Sequence, residues 1–572
     1  MEPYALLVPG DLIRLVRDGL ASIGWPTLAA ILVSICVATR LITGFQSRLR
    51  GTPEAGHPRP VRTVPYWLPW LGHGPAFAWD HVSLIQKSRE SMKEPVFGIY
   101  MGGTKHHIVV SPSMVNSVFT ARGTSSTDLI NYALENIFGD RGVIRNLNPV
   151  DHHALNHNVP NLLMSEPFLT QGTKTATRLI EREIPSLVTN CRSIVDQMPW
   201  ERGSQTVVID GNNTLSCEAN FFALIRRFVG HVTTAIFMGE ALLEAFPSLL
   251  EDVFALDNQF VPLSMGVPRL LHPGVSAAHA ARTRLLDALT AYHRAFVAWD
   301  DGIDPGLTFR DLDDISEPVK ERIRKCKELG LSARASAPTH LSLLWAMNGN
   351  SPNVVFWHLL RMYASPTLLE EIRKEVAPYV TITREETGFA FQEAPKLSID
   401  TEELVKSCPL LKASFYETLR LDSAPLSFRG VTSDLTITES DEDAATAGVA
   451  QPRSYEIKKG GSVAIPHAVL HTDPRYFSKP GDFDPLRFIS TDPETGARKA
   501  SVHTIKPFGG GVSGCKGRAF AERKLLAFAA AIITMWDVEP AQDGGFAIPD
   551  HRPSGAAFLP KKDIRVRMRQ RA

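Results

Sequence analysis

Five glycines crowd one cysteine in Pro507-Phe508-Gly509-Gly510-Gly511-Val512-Ser513-Gly514-Cys515-Lys516-Gly517-Arg518. Ala521, Leu525, Phe528 and Ile532 follow at helical spacing, which places Cys515 at a helix N-terminus. Unpaired N–H groups and the helix dipole favour a thiolate at such a position. Glycines let the backbone approach a flat ligand and turn N–H groups toward the sulfur. Phe508 is placed to shield that sulfur from water. A helix-capped, glycine-caged thiolate suits a haem iron. Three other readings stand beside it. A nucleophile elbow needs glycine where Cys515 stands, and a phosphate loop needs Ser or Thr where Gly517 follows Lys516. The third is a tight turn leading into a core helix.

The 61 basic residues balance the 61 acidic ones, so no net field draws the chain to nucleic acid. An apolar fraction of 44% suffices for a large core. Besides Cys515, cysteines stand at positions 36, 191, 217, 326 and 408, with no zinc spacing and no disulfide framework. The thiols point to a reduced, cytosol-facing protein.

From Gly19 to Thr39 no residue is charged, long enough for a helix to cross a hydrocarbon core of ~30 Å. Arg14 and Arg17 precede this stretch, and Arg40, Arg48, Arg50, Arg59 and Arg62 follow it, which leaves the long C-terminal part in the cytosol. A signal peptide wants a shorter apolar core and a small-residue cleavage site, whereas Arg40 and Leu41 follow here. The division expected is an extramembrane segment over 1–18, an anchor over 19–39, a proline-rich linker over 40–64 and one catalytic domain over 65–572. Pro53, Pro58, Pro60, Pro65 and Pro69 make the linker a semi-rigid spacer.

Val96 to Met101 and His107 to Ser111 flank Gly102-Gly103, a hairpin signal. From about Pro112 to Arg429 the pattern is mostly helical, with Phe221–Phe237, Ala277–Trp299 and Pro366–Val376 as clear helices. Short strands return at Leu435–Thr438, Tyr455–Ile457 and Ser462–Ile465, around an aperiodic acidic insertion, Glu439–Gln451. The fold class is therefore mainly α with a small β region.

Leu404, Cys408, Leu411 and Phe415 line one face of a helix that ends in Glu417-Thr418-Leu419-Arg420. Glu417 and Arg420 share a face, and Arg487 of Phe483-Asp484-Pro485-Leu486-Arg487-Phe488 is available to complete a buried Glu–Arg–Arg network. The set F-x-x-G-x-x-x-C-x-G, E-x-x-R and P-x-R-F resembles a cytochrome P450 from about Pro65 to the C-terminus, behind an anchor like that of microsomal members. The resemblance implies haem b on Cys515, framed by Phe508, Gly511 and Gly517, with Glu417, Arg420 and Arg487 supporting the loop. It also implies Arg429 as a haem-propionate partner. Many members carry Arg or His where Ser513 stands, which leaves that contact to Lys506 or another basic residue.

Leu341 to Tyr363 is apolar and helical, interrupted by Asn348-Gly349-Asn350-Ser351-Pro352. Against the family pattern A-G-x-D/E-T-T, Asn350 replaces the acid and Ser351 the threonine. Pro352 removes one helical N–H, leaving a kink able to hold water and dioxygen. Ser351 is the candidate proton relay, and Asn350 orders water without acting as an acid. The bland reading is a proline-kinked core helix. This substitution resembles the branch holding bile-acid sterol hydroxylases and prostacyclin synthase, with fungal relatives that modify terpenoids and alkaloids.

The implied activity is a monooxygenase in the endoplasmic reticulum membrane acting on a lipophilic small molecule. NADPH–cytochrome P450 reductase supplies electrons, docking near Lys516, Arg518, Arg523 and Lys524. A peroxide isomerase or dehydratase, and a haem-thiolate sensor without turnover, are the alternatives. His153 and His157 are spaced like a zinc pair, but Ala154 holds the glutamate position, so they read as surface or haem-edge histidines.

Overall fold

The computed structural model describes residues 24–49, 58–211, 214–384, 395–423, 426–502, 505–555 and 557–571. Its principal helices are α1 (Trp25–Leu49), α2 (Pro112–Thr120), α3 (Phe168–Glu183), α4 (Phe221–Met238), α5 (Pro273–Asp300), α6 (Ala333–Asn348), α7 (Ser351–Tyr363), α8 (Pro409–Asp422) and α9 (Arg518–Met535). The strands that shape the site are β1 (Arg59–Pro60), β2 (Val96–Met101), β3 (Thr104–Val109), β4 (Thr124–Ser125), β5 (Leu426–Val431), β6 (Leu435–Thr438), β7 (Ser454–Ile457) and β8 (Ser462–Pro466).

The core is helical. Leu526 through Ile533 of α9 are all at most 1% exposed. A helix apolar on every side has to be enclosed, and α3, α7 and α8 pack against α9. Each large side chain buried in this way stabilises the fold by about 1.5–3 kcal/mol. Of the two helices among the described residues that are long and apolar enough to cross a membrane, α4 is mostly buried in this core and α1 is not. Ile31, Leu32, Val33, Leu41, Ile42 and Phe45 of α1 are all exposed, so α1 is the candidate transmembrane span.

The expected anchor began at Gly19 and ended at Thr39; residues 1–23 lie outside those described, and α1 runs ten residues past Thr39. Arg40 and Arg48 do not stop it, since straight-chain residues favour helix. The end of α1 docks on the stretch read as linker: the Arg40 guanidinium donates to the Pro65 carbonyl and lies 5.5 Å from the Trp67 ring. Arg62 Nε donates to the Ser47 carbonyl at 3.1 Å. β1 then pairs in parallel with β7, Arg59 opposite Tyr455. This part of the linker is therefore built into the body; residues 50–57 are not described.

β2 and β3 form the expected hairpin, with positive φ at both Gly102 and Gly103, as a tight hairpin turn requires. The main sheet runs β2-β3-β8-β5-β4, and a second runs β1-β7-β6. Two hairpins interrupt the region read as helical, Val380–Thr383 with Lys396–Ile399 and Val207–Gly211 with Thr214–Asn220, the last strand also paired with Arg565–Gln570 near the end of the chain. The single helix expected from Leu404 to Arg420 is two, because Pro409 forces Cys408 out of helical geometry (φ −111, ψ 72). The acidic insertion is also anchored: Asp443 accepts hydrogen bonds from Ser111 Oγ at 2.6 Å and Tyr476 Oη at 2.9 Å.

Candidate active site

Cys515 lies three residues before the first residue of α9, behind a short turn over Gly511–Ser513. Its N–H donates to the Phe508 carbonyl at 2.9 Å, closing the loop on itself. Gly509 and Gly511 adopt φ of 68° and 65°. Gly511 has a second reason to be glycine: a Cβ there would strike the Phe119 carbonyl, so the loop can lie flat on α2 only without one. The Cys515 side chain is crowded by its loop yet exposed on one face. Burial pushes its thiol above the ordinary range, against the pull of the Gly517 N–H, Arg518 and Lys516.

Arg429 on β5 is buried, reaching toward the same loop. Its Nη2 donates to the Gly510 carbonyl at 3.3 Å and its Nη1 to the Phe428 carbonyl at 2.8 Å. Its partners among the described residues are these carbonyls and the Phe119 ring, 5.4 Å away, with no carboxylate, and burial lowers its pKa. A buried guanidinium without a counter-ion suits an anionic group. One sulfur ligand, a glycine cradle and an unneutralised arginine together fit a haem with its propionates. Ser513, where a basic residue was expected, instead pairs its hydroxyl with Ser126 at 2.8 Å. Lys506 lines a cavity of about 570 Å³ with Phe119, Phe508 and Arg518.

Glu417 and Arg420 are both fully buried. All five guanidinium donors of Arg420 are used. Nε and Nη2 reach Glu417 at 2.7 Å each; the others reach the carbonyls of His471 (2.9 Å), Pro480 (2.8 Å) and Asp482 (3.1 Å). Arg487 Nε is 3.4 Å from Glu417 Oε1, close enough for an ion pair though not aligned for a hydrogen bond. His471 continues the chain: its Nε2 accepts the Lys506 N–H at 3.1 Å, just upstream of the cysteine loop. Burial holds His471 far below the usual histidine range, so it is the neutral acceptor this bond requires.

The chain belongs to the cytochrome P450 family. The family model for cytochrome P450 matches residues 63–568, nearly the whole body that follows α1. A cytochrome P450 monooxygenase of Penicillium oxalicum is 24% identical over 482 residues, covering 83% of this chain and 86% of the relative. Prostacyclin synthase of Rattus norvegicus is 23% identical over 88% of this chain and 92% of its own length. A 25-hydroxycholesterol 7-alpha-hydroxylase of the same organism is 28% identical over 45% of this chain and 59% of its own length. P450 proteins are oxidoreductases that bind haem through a cysteine thiolate.

The helical stretch that carries Asn350 and Ser351 in this P450 is divided into α6 and α7, with Asn350 between them at φ −110, ψ −61. The carbonyl freed by the break at Gly349 is taken by the Asn353 side-chain amide at 2.9 Å. Asn350 and Ser351 leave the break in different directions. Asn350 Oδ1 accepts the Ala557 N–H at 3.2 Å. Ser351 Oγ accepts from Lys524 Nζ at 3.1 Å. Asn348 Oδ1 and Asn353 Oδ1 are buried acceptors without a protein donor among the described residues, suited to ordered water.

Lys524 corrects one expectation. It was read as part of a docking patch, but only 3% of it is exposed, whereas Arg518 is exposed. Arg523 is half-buried and 3.3 Å from Glu402. The signal was present: Phe520, Lys524 and Phe528 are spaced by four, which puts the lysine on an apolar helical face. His153 and His157 stack with ring centroids 4.7 Å apart, and no cluster of three metal-ligating side chains occurs among the described residues.

Proposed function

We propose that this P450 is a membrane-anchored monooxygenase that inserts one oxygen atom from dioxygen into a lipophilic small molecule of sterol, terpenoid or alkaloid type. The observation that carries the reading is Cys515 in a glycine loop whose Gly510 carbonyl accepts from the buried Arg429, in a chain related to a fungal monooxygenase. Cys515 holds haem b, Arg429 takes a propionate, and Phe508, Gly511 and Gly517 shape the loop. Bound haem supplies the dioxygen-activating chemistry, to which the thiolate contributes electron density. Glu417, Arg420 and Arg487 hold the loop in place. Asn350 pins the backbone at Ala557 and Ser351 passes a proton. NADPH–cytochrome P450 reductase delivers electrons at the face of Lys516, Arg518 and Arg523. The anchor crosses the endoplasmic reticulum membrane once, with the body in the cytosol.

A second reading is peroxide isomerisation or dehydration, which needs neither dioxygen nor a reductase. It is favoured by the amide at position 350 where an acid is common, and by the likeness to prostacyclin synthase along 88% of the chain. Purified protein is to be incubated with reductase, NADPH and a panel of sterols, terpenoids and alkaloids. Products heavier by one oxygen are expected. Turnover of an endoperoxide without NADPH or reductase would transfer the assignment to the second reading. Gas binding with no product from any substrate would make the protein a sensor.

A further inference from the structure

Lys524 is a buried amine that the reading above leaves without a role. It sits on α9, the helix that follows Cys515, and its Nζ is 3.1 Å from Ser351 Oγ on α7 and 3.1 Å from Thr233 Oγ1 on α4. Phe237 and Phe520 cover it, with ring centroids 6.0 and 5.9 Å from Nζ. α3 reaches this corner through Phe168, which packs on Phe520. The groups facing Nζ are thus two hydroxyls and two aromatic rings, and none ionises near neutrality. A buried lysine without a carboxylate partner costs stability, so packing alone gives no reason for it; methionine fills similar space without that cost.

The hydrogen-bond chemistry gives a reason. An ammonium donates and cannot accept, so Ser351 Oγ must accept from it. The serine proton then points away from Nζ, and among the described residues it has no acceptor. We propose that Lys524 is a positioning residue that fixes the direction of the Ser351 proton and ties the cysteine-bearing helix to the start of α7. The inference rests on the reading of Ser351 as a proton relay. A neutral amine can accept as well as donate, so the constraint relaxes once Lys524 loses its proton. Burial pushes its pKa down to about 7, which places that loss near neutral pH.

The test uses the full-length holoprotein and the variants Lys524→Met, Ser351→Ala and the double variant. The red-shifted Soret band of the ferrous CO adduct verifies in each that the thiolate-bound haem is intact. Two quantities are then measured from about pH 6 to about pH 8.5: product formed per NADPH consumed, and hydrogen exchange of the amides at 354 and 355, the first to be hydrogen-bonded in α7. The native protein should lose coupling as pH rises through about 7. Lys524→Met should be poorly coupled and insensitive to pH over the range, with exchange at these amides about tenfold faster. The double variant should match Ser351→Ala, because both changes remove one interaction. Native coupling and exchange in Lys524→Met, or additive losses in the double variant, overturn the proposal. Full coupling in Ser351→Ala removes the relay reading and the proposal with it. Uncoupling in Ser351→Ala alone leaves the relay standing and removes only the part given to Lys524.

Discussion

Glu417 and Arg420 meet through two hydrogen bonds of 2.7 Å with neither side chain exposed to water. The pair is the head of a chain that passes through the His471 carbonyl and imidazole to Lys506 and so to the loop that carries Cys515. Breaking one partner of a buried pair leaves an uncompensated charge, at about 3–5 kcal/mol. Glu417→Gln should therefore lower the unfolding midpoint and reduce haem retention together. Unfolding monitored by circular dichroism, with haem absorbance followed in parallel, checks this; loss of haem at native stability would show that the pair acts on the loop alone.

Cys515→Ala should leave the helical core intact, since the residue touches α9 only through its loop. It should abolish the red-shifted Soret band of the ferrous CO adduct. The check is absorbance of the reduced, CO-saturated protein, and a retained band would refute Cys515 as the ligand.

Gly511→Ala tests the cradle. The residue combines a φ of 65° with a Cβ position filled by the Phe119 carbonyl, so both strain and contact oppose the change. A loss of about 1–3 kcal/mol is expected. Phe119→Ala should not rescue it, because the obstructing atom is backbone; equal stability of Gly511→Ala and the native protein in chemical denaturation would show that the loop lifts off α2.

Lys524 sets a pH dependence of stability. Its pKa falls from an ordinary 10.5 to about 7 on folding, so between these values the unfolded chain binds the extra proton. Stability from this group is complete above about pH 10.5 and is lost as pH falls toward about 7, at about 1.4 kcal/mol per pH unit. Lys524→Met should accordingly be more stable near neutrality by a few kcal/mol, with the gain shrinking in alkali. Denaturant midpoints of both proteins from about pH 7 to about pH 10 measure the difference.

Two truncations separate the parts of α1. Removing residues 1–39 leaves the Arg40–Leu49 segment with its contacts to Pro65 and Trp67; removing 1–49 leaves none of α1. Both should shift the protein from membrane pellet to supernatant after high-speed centrifugation. Only the longer cut should lower the unfolding midpoint.

Much of this fold is legible because its signals are local. The Gly102-Gly103 turn, Pro366–Val376 and the glycine-caged cysteine each depend on neighbouring residues, and each stands where the sequence put it. What was not legible depends on distant partners. Thr214–Asn220 forms a hairpin with the adjacent Val207–Gly211, but its other edge is covered by Arg565–Gln570, a partner that no window around residue 214 reveals. The contribution of α1 to the body rests on contacts with residues more than twenty positions away. At the site, the motifs located Glu417, Arg420 and Arg487, but nothing local gave the directions of Asn350 and Ser351. Lys524 looks like surface charge beside Arg523, while the four-residue spacing of Phe520 and Phe528 puts it on the buried face.

On the proposed reading of α1 as a membrane span, its docking on Pro65 and Trp67 would make it a mast rather than a tether. A body hung from a slack chain samples every bearing to the lipid, and a redox partner must wait for the right one. A body stepped onto its mast keeps a constant tilt and height. The way a bilayer would meet the body of this protein would then be written into a few contacts between a helix end and a proline-rich stretch. Changing the length of the hydrophobic span would turn the whole domain about that foot.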